Sequence, residues 1–297
     1  MSKIDTSRDD LALGRTIRSS PGIGSVAQVV QHAPLLCRRL ASDGPGLVLV
    51  EKGRKIIRSD DVELSASVGQ VMLVPDGCDF DVINEPAADG PYRAVALNFA
   101  PALFQELRTG CAPALRRIEV LADPPAAFRQ ACDVAVQAIA GHQVLPGVVA
   151  AARVREILLW LDGFGYRLEL RGGDDLVARL RRMLVAEPAR SWRAAPVAAS
   201  IGMSEPSLRR HLAARGTSFT DVLVDVRMTA ALYLLQSTDQ AITQIALAVG
   251  YDSASRFSVR FRSRFGFAPS EIRGHHREFE RNGTKYELDG AAPMMAG

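Results

Sequence analysis

The 297-residue sequence predicts an α+β chain of two domains: an N-terminal antiparallel β-barrel with attached helices, then an all-α domain. Three observations predict this. Short β-like runs separated by turns fill 47–99, the hydrophobic period becomes helical after Pro124-Pro125, and one plan of small residues and caps is written twice between 197 and 261.

At the N-terminus, Met1–Asp10 mixes Lys3, Asp5, Arg8, Asp9 and Asp10 without an apolar stretch, so no secretory signal is expected. No window approaches the ~18 consecutive apolar residues of a membrane span, and the chain reads as cytoplasmic, with no membrane partner. Cys37, Cys78, Cys111 and Cys132 are widely spaced, which fits reduced thiols packed as small apolar side chains.

The β-like runs are Leu47–Val50, Lys55–Arg58, Val71–Val74, Phe80–Ile83 and Ala94–Phe99. Lys52-Gly53, Ser59-Asp60-Asp61, Pro75-Asp76-Gly77 and Glu85–Pro91 separate them. In the Pro75 triplet, proline presets φ and glycine permits a positive φ. Strands this short at near-regular spacing suggest an antiparallel sandwich or small barrel.

From about 126 the period is helical. Phe128, Ala131, Val134, Ala135, Ala138 and Ile139 fall on one face. After Pro146-Gly147, Val154, Ile157, Leu158, Leu161 and Phe164 do the same. These helices either pack on the barrel or form a dimer seam. The first domain is thus expected over 1–170, the Gly-rich charged segment 171–175 is the expected linker, 176–280 the helical domain, and 281–297 a frayed tail.

Charge differs between the parts. Lys and Arg number 19 against 20 Asp and Glu over 1–173, but 15 against 11 over 174–280. A positive helical domain suits a polyanionic partner.

The repeated plan runs Val197–Leu212 and Ile245–Phe261. In each copy an alanine (Ala198, Ala246) stands four residues before a glycine (Gly202, Gly250), and a serine (Ser204, Ser253) precedes a basic amphipathic helix. A small alanine lets two helices cross closely. Glycine ends the first helix where φ must be positive, serine caps the next, and Pro206 occupies a first turn, where a missing N–H costs little. This spacing predicts two helix-turn-helix units, whose second helices fit a DNA major groove. Between them, 219–236 predicts a helix with Phe219, Val222, Leu223, Val226, Met228, Ala231, Leu232 and Leu235 inward. Its length of about 25 Å falls short of the ~34 Å between adjacent groove faces on straight B-DNA, a mismatch DNA bending could absorb for about 1–6 kcal/mol. Phe257, Phe261 and Phe265 recur every four residues and are expected in the core.

The stretch Gly250-Tyr251, Phe257-Ser258, Phe261-Arg262, Phe265-Gly266, Pro269-Ser270 and Arg273 resembles the signature of the AraC/XylS family of bacterial transcription regulators. Val197–Gly216 is similar to that family's first helix-turn-helix. The chain departs from the pattern at Arg256, Val259 and Ile272. The resemblance implies a seven-helix DNA-binding domain fused to an effector-binding or dimerisation domain, with double-stranded DNA and RNA polymerase as partners and activation as the commoner mode. By position it implies base contacts from Pro206, Arg209 and Arg210 in the first recognition helix and Ser255, Arg256 and Val259 in the second. Ser204, Ser253, Arg260 and Arg262 are then expected at phosphates. Arginine pairs bidentately with guanine O6 and N7, whereas phosphate contacts position without specifying.

The run 47–99 resembles, by strand spacing, the cupin-like sensor domains of the same family, which implies a small-molecule effector whose contact residues are unassigned. That segment has no histidine and His32 and His142 stand apart, so no metal is expected. No cofactor is expected either. Gly22-Ile23-Gly24-Ser25-Val26-Ala27 matches a dinucleotide-binding turn but lacks the apolar strand before it. Without Walker, HExxH or GxSxG motifs, and with no clustered acid–base groups in 1–125, no catalytic residues are assigned and no enzyme is expected.

Overall fold

The computed structural model describes residues 17–42, 44–59, 62–105, 112–141, 145–170 and 176–272. The expected linker at 171–175, the tail from 281, and Asp60, Asp61, Cys111, His142, Arg273, His275 and His276 lie outside the described residues.

The described residues hold ten strands: β1 Arg18–Ser20, β2 Gly24–Gln31, β3 Leu36–Ala41, β4 Gly46–Lys52, β5 Arg54–Ser59, β6 Val62–Ser67, β7 Val71–Val74, β8 Asp79–Glu85, β9 Tyr92–Phe99 and β10 Glu119–Leu121. The helices are α1 Ala102–Gln105, α2 Ala126–Ala140, α3 Gly147–Gly163, α4 Leu176–Ala186, α5 Ala194–Ser200, α6 Glu205–Ala213, α7 Phe219–Ser237, α8 Ile242–Ala248 and α9 Ala254–Phe265.

The strands form two antiparallel sheets, ordered β1-β2-β9-β4-β7-β10 and β3-β8-β5-β6, rather than one closed barrel. The five expected strands are β4, β5, β7, β8 and β9. Of the other five, four evade simple patterning for identifiable reasons. β3 carries a bulge between Cys37 and Leu40, β6 is a polar edge strand, and β1 and β10 are three residues each. Gly22–Ala27 is the turn of the β1–β2 hairpin and the start of β2, not a strand-to-helix turn. There Gly24 is obligatory, because a Cβ would lie 2.3 Å from the Asn98 carbonyl oxygen.

The six-stranded sheet is buried on both faces, which explains its near-continuous apolar runs. Leu47, Val71, Leu73, Val95 and Leu97 face α2 and α3, while Val50, Met72, Val74 and Ala94 face the four-stranded sheet. That alternation is the period-two geometry of a strand. In α2 the buried face holds Cys132 and Val136 beside Phe128, Ala131, Ala135, Ala138 and Ile139, and the expected Val134 is only partly buried. α3 buries Val154, Ile157, Leu158 and Leu161, with Phe164 half-buried just past its end. Its far side exposes Val148 and Leu159.

The inter-sheet core does not stop at the sandwich. Val29, Cys37, Leu40 and Val82 belong to one cluster with Met228, Leu232, Leu235, Phe257, Phe261 and Phe265 of α7 and α9. A buried polar string crosses the same junction. Lys55 Nζ donates to Asn84 Oδ1 at 3.0 Å, and Asn84 Nδ2 donates to Gln31 Oε1 at 3.1 Å. Gln236 Nε2 of α7 donates to that same oxygen at 2.8 Å. Desolvation lowers the Lys55 ammonium to about 8 and pushes the neighbouring Cys37 thiol up to about 12.

Candidate nucleic-acid interface

Both expected helix-turn-helix units form, α5–α6 and α8–α9. Each first helix ends in the same pair of backbone bonds. Gly202 N–H donates to Ala199 O at 3.1 Å and Met203 N–H to Ala198 O at 2.9 Å. In the second unit, Gly250 N–H donates to Leu247 O at 3.0 Å and Tyr251 N–H to Ala246 O at 2.9 Å. This is the Schellman arrangement, which needs a left-handed residue at the glycine, and φ is 78° at Gly202 and 83° at Gly250. Ala198 and Ala246 are buried, as a close helix crossing requires. The second turn is one residue longer, with Tyr251-Asp252 where the first has Met203.

The recognition helices are capped as their sequences demand. Ser204 Oγ accepts from Ser207 N–H at 3.3 Å, and Ser253 Oγ accepts from Arg256 N–H at 3.4 Å. Both serines assigned to phosphate thus have a local capping duty. In α6, Leu208 and Leu212 point into the core. At 3.6 residues per turn, Pro206 and Arg210 then stand opposite them, and Arg209 lies to one flank. All three are exposed, Arg209 in a loose 4.0 Å pair with Glu205.

In α9, Phe257, Phe261 and Phe265 form a buried ridge. The opposite face centres on Val259, which is 70% exposed, and Ser263, flanked by Ser255, Arg256, Arg260 and Arg262, all exposed. Every predicted site residue except the half-buried cap Ser253 is therefore exposed on its recognition helix or cap. Ser263 escaped the sequence reading, although the phenylalanine ridge points directly away from it. His211, exposed with Nδ1 2.8 Å from Ser207 O, was also missed.

Aligning the caps pairs Pro206 with Ser255, Arg210 with Val259 and His211 with Arg260. The two heads share a backbone and differ in chemistry. Beside the second turn, Arg227 stacks on Tyr251 with its guanidinium 5.7 Å from the ring centre, and burial raises the Tyr251 phenol against the pull of Arg227 and Arg260. Helix α7, 19 residues and about 28 Å long, joins the units. Of its expected inward positions, Phe219 and Leu223 are only partly buried. After α9, Glu271 Oε1 accepts from Ala268 N–H at 2.6 Å and starts a further helical turn at 269–272.

Among the described residues no group of three or more His, Cys, Asp or Glu side chains could hold a metal, and no helix is long and apolar enough to cross a membrane.

Residues 197–275 match the family model of a helix-turn-helix domain. The ornithine utilization regulator of Pseudomonas aeruginosa is 38% identical over 100 residues, 34% of this chain and 30% of that protein. The urease operon transcriptional activator of Escherichia coli is 31% identical over 99 residues, 33% of each. The match thus spans about a third of the length of these curated relatives. Across nearly the whole chain the fold is that of ToxT from Vibrio cholerae. The apo form of a ToxT variant superposes with a TM-score of 0.62 at 14% identity, covering 86% of this chain and 98% of that one. Wild-type ToxT bound to an unsaturated fatty acid gives 0.57 at 16% identity, covering 92% and 97%. The C-terminal region is a helix-turn-helix domain, joined to an N-terminal β-rich domain in a ToxT-like two-domain fold.

Proposed function

We propose that the protein is a cytoplasmic, sequence-specific transcription regulator, an activator, whose two recognition helices read adjacent major-groove segments of double-stranded DNA. One observation supports this above the rest: among the described residues, both α6 and α9 carry arginines on their solvent-exposed faces. Arg209, Arg210 and Arg256 are the guanine-reading candidates. Pro206, Ser255 and Val259 supply shape and apolar contact, and Arg260 and Arg262 hold phosphate. Activation and RNA polymerase as partner follow from the family resemblance and from the activator among the relatives.

The β-sandwich domain is assigned a small organic effector, by analogy with the ligand-bound state of its fold neighbour. Leu159 of α3, exposed beside Trp160 and Phe164, and Val148, exposed at the start of the same helix, suit a homodimer seam. No catalytic step is assigned to any residue.

The test is selection of binding sites from a random duplex library, followed by affinity measurement on the enriched site and on scrambled DNA. Each of Arg209→Ala, Arg210→Ala and Arg256→Ala should cost about 1–3 kcal/mol of discrimination, Arg210→Ala the most because it sits at the centre of its face. If full discrimination survives the triple variant, the readout assignment is wrong.

A further inference from the structure

Helix α7 is more than a strut. The aliphatic core of the first unit ends on it at Val226, and the phenylalanine-rich core of the second begins at Met228. On either side of that seam, Asp225 and Arg227 tie the two units together. Arg227 Nε donates to Pro188 O at 3.0 Å and Nη2 to Arg190 O at 3.1 Å, both in the segment between α4 and α5, while its guanidinium lies over Tyr251.

About 200° round the helix, Asp225 holds two arginines. Its Oδ2 accepts from Arg181 Nη1 of α4 at 2.5 Å, and its Oδ1 accepts from Arg264 Nε of α9 at 2.6 Å. The Arg181 and Arg264 side chains are only 10% and 12% exposed. One carboxylate thus links the helix that supports the first unit to the recognition helix of the second.

Arg264 also reaches the N-terminal domain. Its Nη1 donates to Arg38 O at 2.7 Å and its Nη2 to Arg39 O. These carbonyls lie on the β3 bulge, where Arg39 is the one non-glycine of positive φ among the described residues, at 51°. Its N–H is fixed by Asp81 Oδ1 at 2.7 Å. A second tie runs from Arg182 Nη1 of α4 to the buried Asp76 Oδ2, at 3.0 Å. Buried guanidinium–carboxylate groups add little net stability against apolar packing, but loss of one member leaves its partners' charges uncompensated. Such a cluster therefore selects one geometry. A guanidinium suits this task, because a planar fork satisfies three acceptors at fixed angles.

We propose that Asp225 is a positioning residue for DNA reading: through Arg181 and Arg264 it sets the separation and rotation between α6 and α9, and Arg264 couples that setting to the N-terminal domain. This rests on the DNA-reading function proposed above. The setting matters because one base pair moves the second half-site by about 3.4 Å along the axis and about a tenth of a turn around it.

The test applies site selection from random duplex DNA to full-length wild type, Asp225→Asn, Asp225→Glu and Arg264→Lys. Wild type should enrich two short motifs at one spacing. Asp225→Asn should enrich the same motifs over several spacings. Its affinity penalty for one inserted base pair should be about tenfold smaller than that of wild type, the equivalent of one charge-assisted hydrogen bond. Asp225→Glu, which keeps the charge, should restore much of the preference. Arg264→Lys keeps a cation beside Asp225 but loses the fork to the two carbonyls, so it carries the same test if Asp225→Asn does not fold. A wild-type spacing profile in both Asp225→Asn and Arg264→Lys overturns the inference. Enrichment of no motif by wild type overturns the DNA reading, and the inference with it.

Discussion

The two helix-turn-helix units share their turn, cap and buried alanine, yet stand on different foundations. The first rests on a closed aliphatic cluster of Leu180, Leu184, Val197, Ile201, Leu208, Leu212, Val222 and Val226. The second shares its core with the β-sandwich, and Phe257, Phe261 and Phe265 form part of one apolar body with Val29, Cys37 and Val82. The recognition fold is therefore set locally by turn chemistry, while the support of each unit is set by tertiary packing. It follows that the sandwich can act mechanically on the second head, and that among the described residues it meets the first through α4 and α7.

The largest effect that could break this comparison is a core truncation. Phe261 is fully buried and touches Phe257, Phe265 and Phe267. Phe261→Ala should cost about 3–5 kcal/mol, and Leu208→Ala in the first unit about 2–5 kcal/mol. The chain's two tryptophans report on different regions, Trp160 on α3 beside the sandwich and Trp192 beside the first unit. Denaturant unfolding followed by each tryptophan alone, with the other replaced by Phe, should show Phe261→Ala shifting both transitions. Leu208→Ala should shift chiefly that of Trp192. Equal shifts at both probes for Leu208→Ala would mean that the first unit has no separate foundation.

A sharper comparison sets the two turn glycines against each other. Both have positive φ, so alanine at either bears a left-handed penalty of about 1–2 kcal/mol. Around Gly202 nothing lies within 4 Å of an added Cβ. At Gly250 that atom would stand 2.6 Å from Arg227 Nη2, 2.8 Å from its Cζ and 3.1 Å from Ala189 Cα. Gly250→Ala should therefore cost about 1–3 kcal/mol more than Gly202→Ala, because it displaces the arginine that bonds the α4–α5 segment. Thermal melts of the two variants decide it, and equal losses would show Arg227 to be free to move aside.

These contrasts also explain what the sequence could disclose. Gly202, Ser204, Pro206 and their counterparts act within a few residues of themselves, so both turns and caps were legible. So were β4 and β7, because strands buried on both faces read as unbroken apolar runs. The supports were not. Gln236 meets Gln31 across 205 positions and Arg264 meets Arg38 across 226, and no local pattern marks either pair. Asp225 reads as a solvated charge on a helix until α4 and α9 are folded against it. β3 was missed for a related reason: its bulge turns two successive arginines outward and breaks the alternation expected of a strand. On the recognition helices, Arg210 and Arg256 stand exposed as the resemblance implies, whereas Ser263 belongs to no motif and is found only by following the phenylalanine spacing round to the opposite face of α9.

The smallest expected effect separates capping from phosphate binding. Ser204→Ala and Ser253→Ala each remove a side-chain acceptor at a helix start, for about 1 kcal/mol of stability. A neutral hydroxyl displaces no condensed counterion, so neither change should alter the slope of log affinity against log salt. Arg260→Ala and Arg262→Ala should behave in the opposite way. Both side chains are exposed on α9, so stability should hardly change, and removing one phosphate-neutralising arginine should flatten the salt slope by about 0.9. Binding of the selected duplex across a salt series, beside thermal melts of the four variants, separates the two roles. An arginine whose removal leaves the slope unchanged touches no phosphate, and the face of α9 that carries it then points away from the DNA backbone.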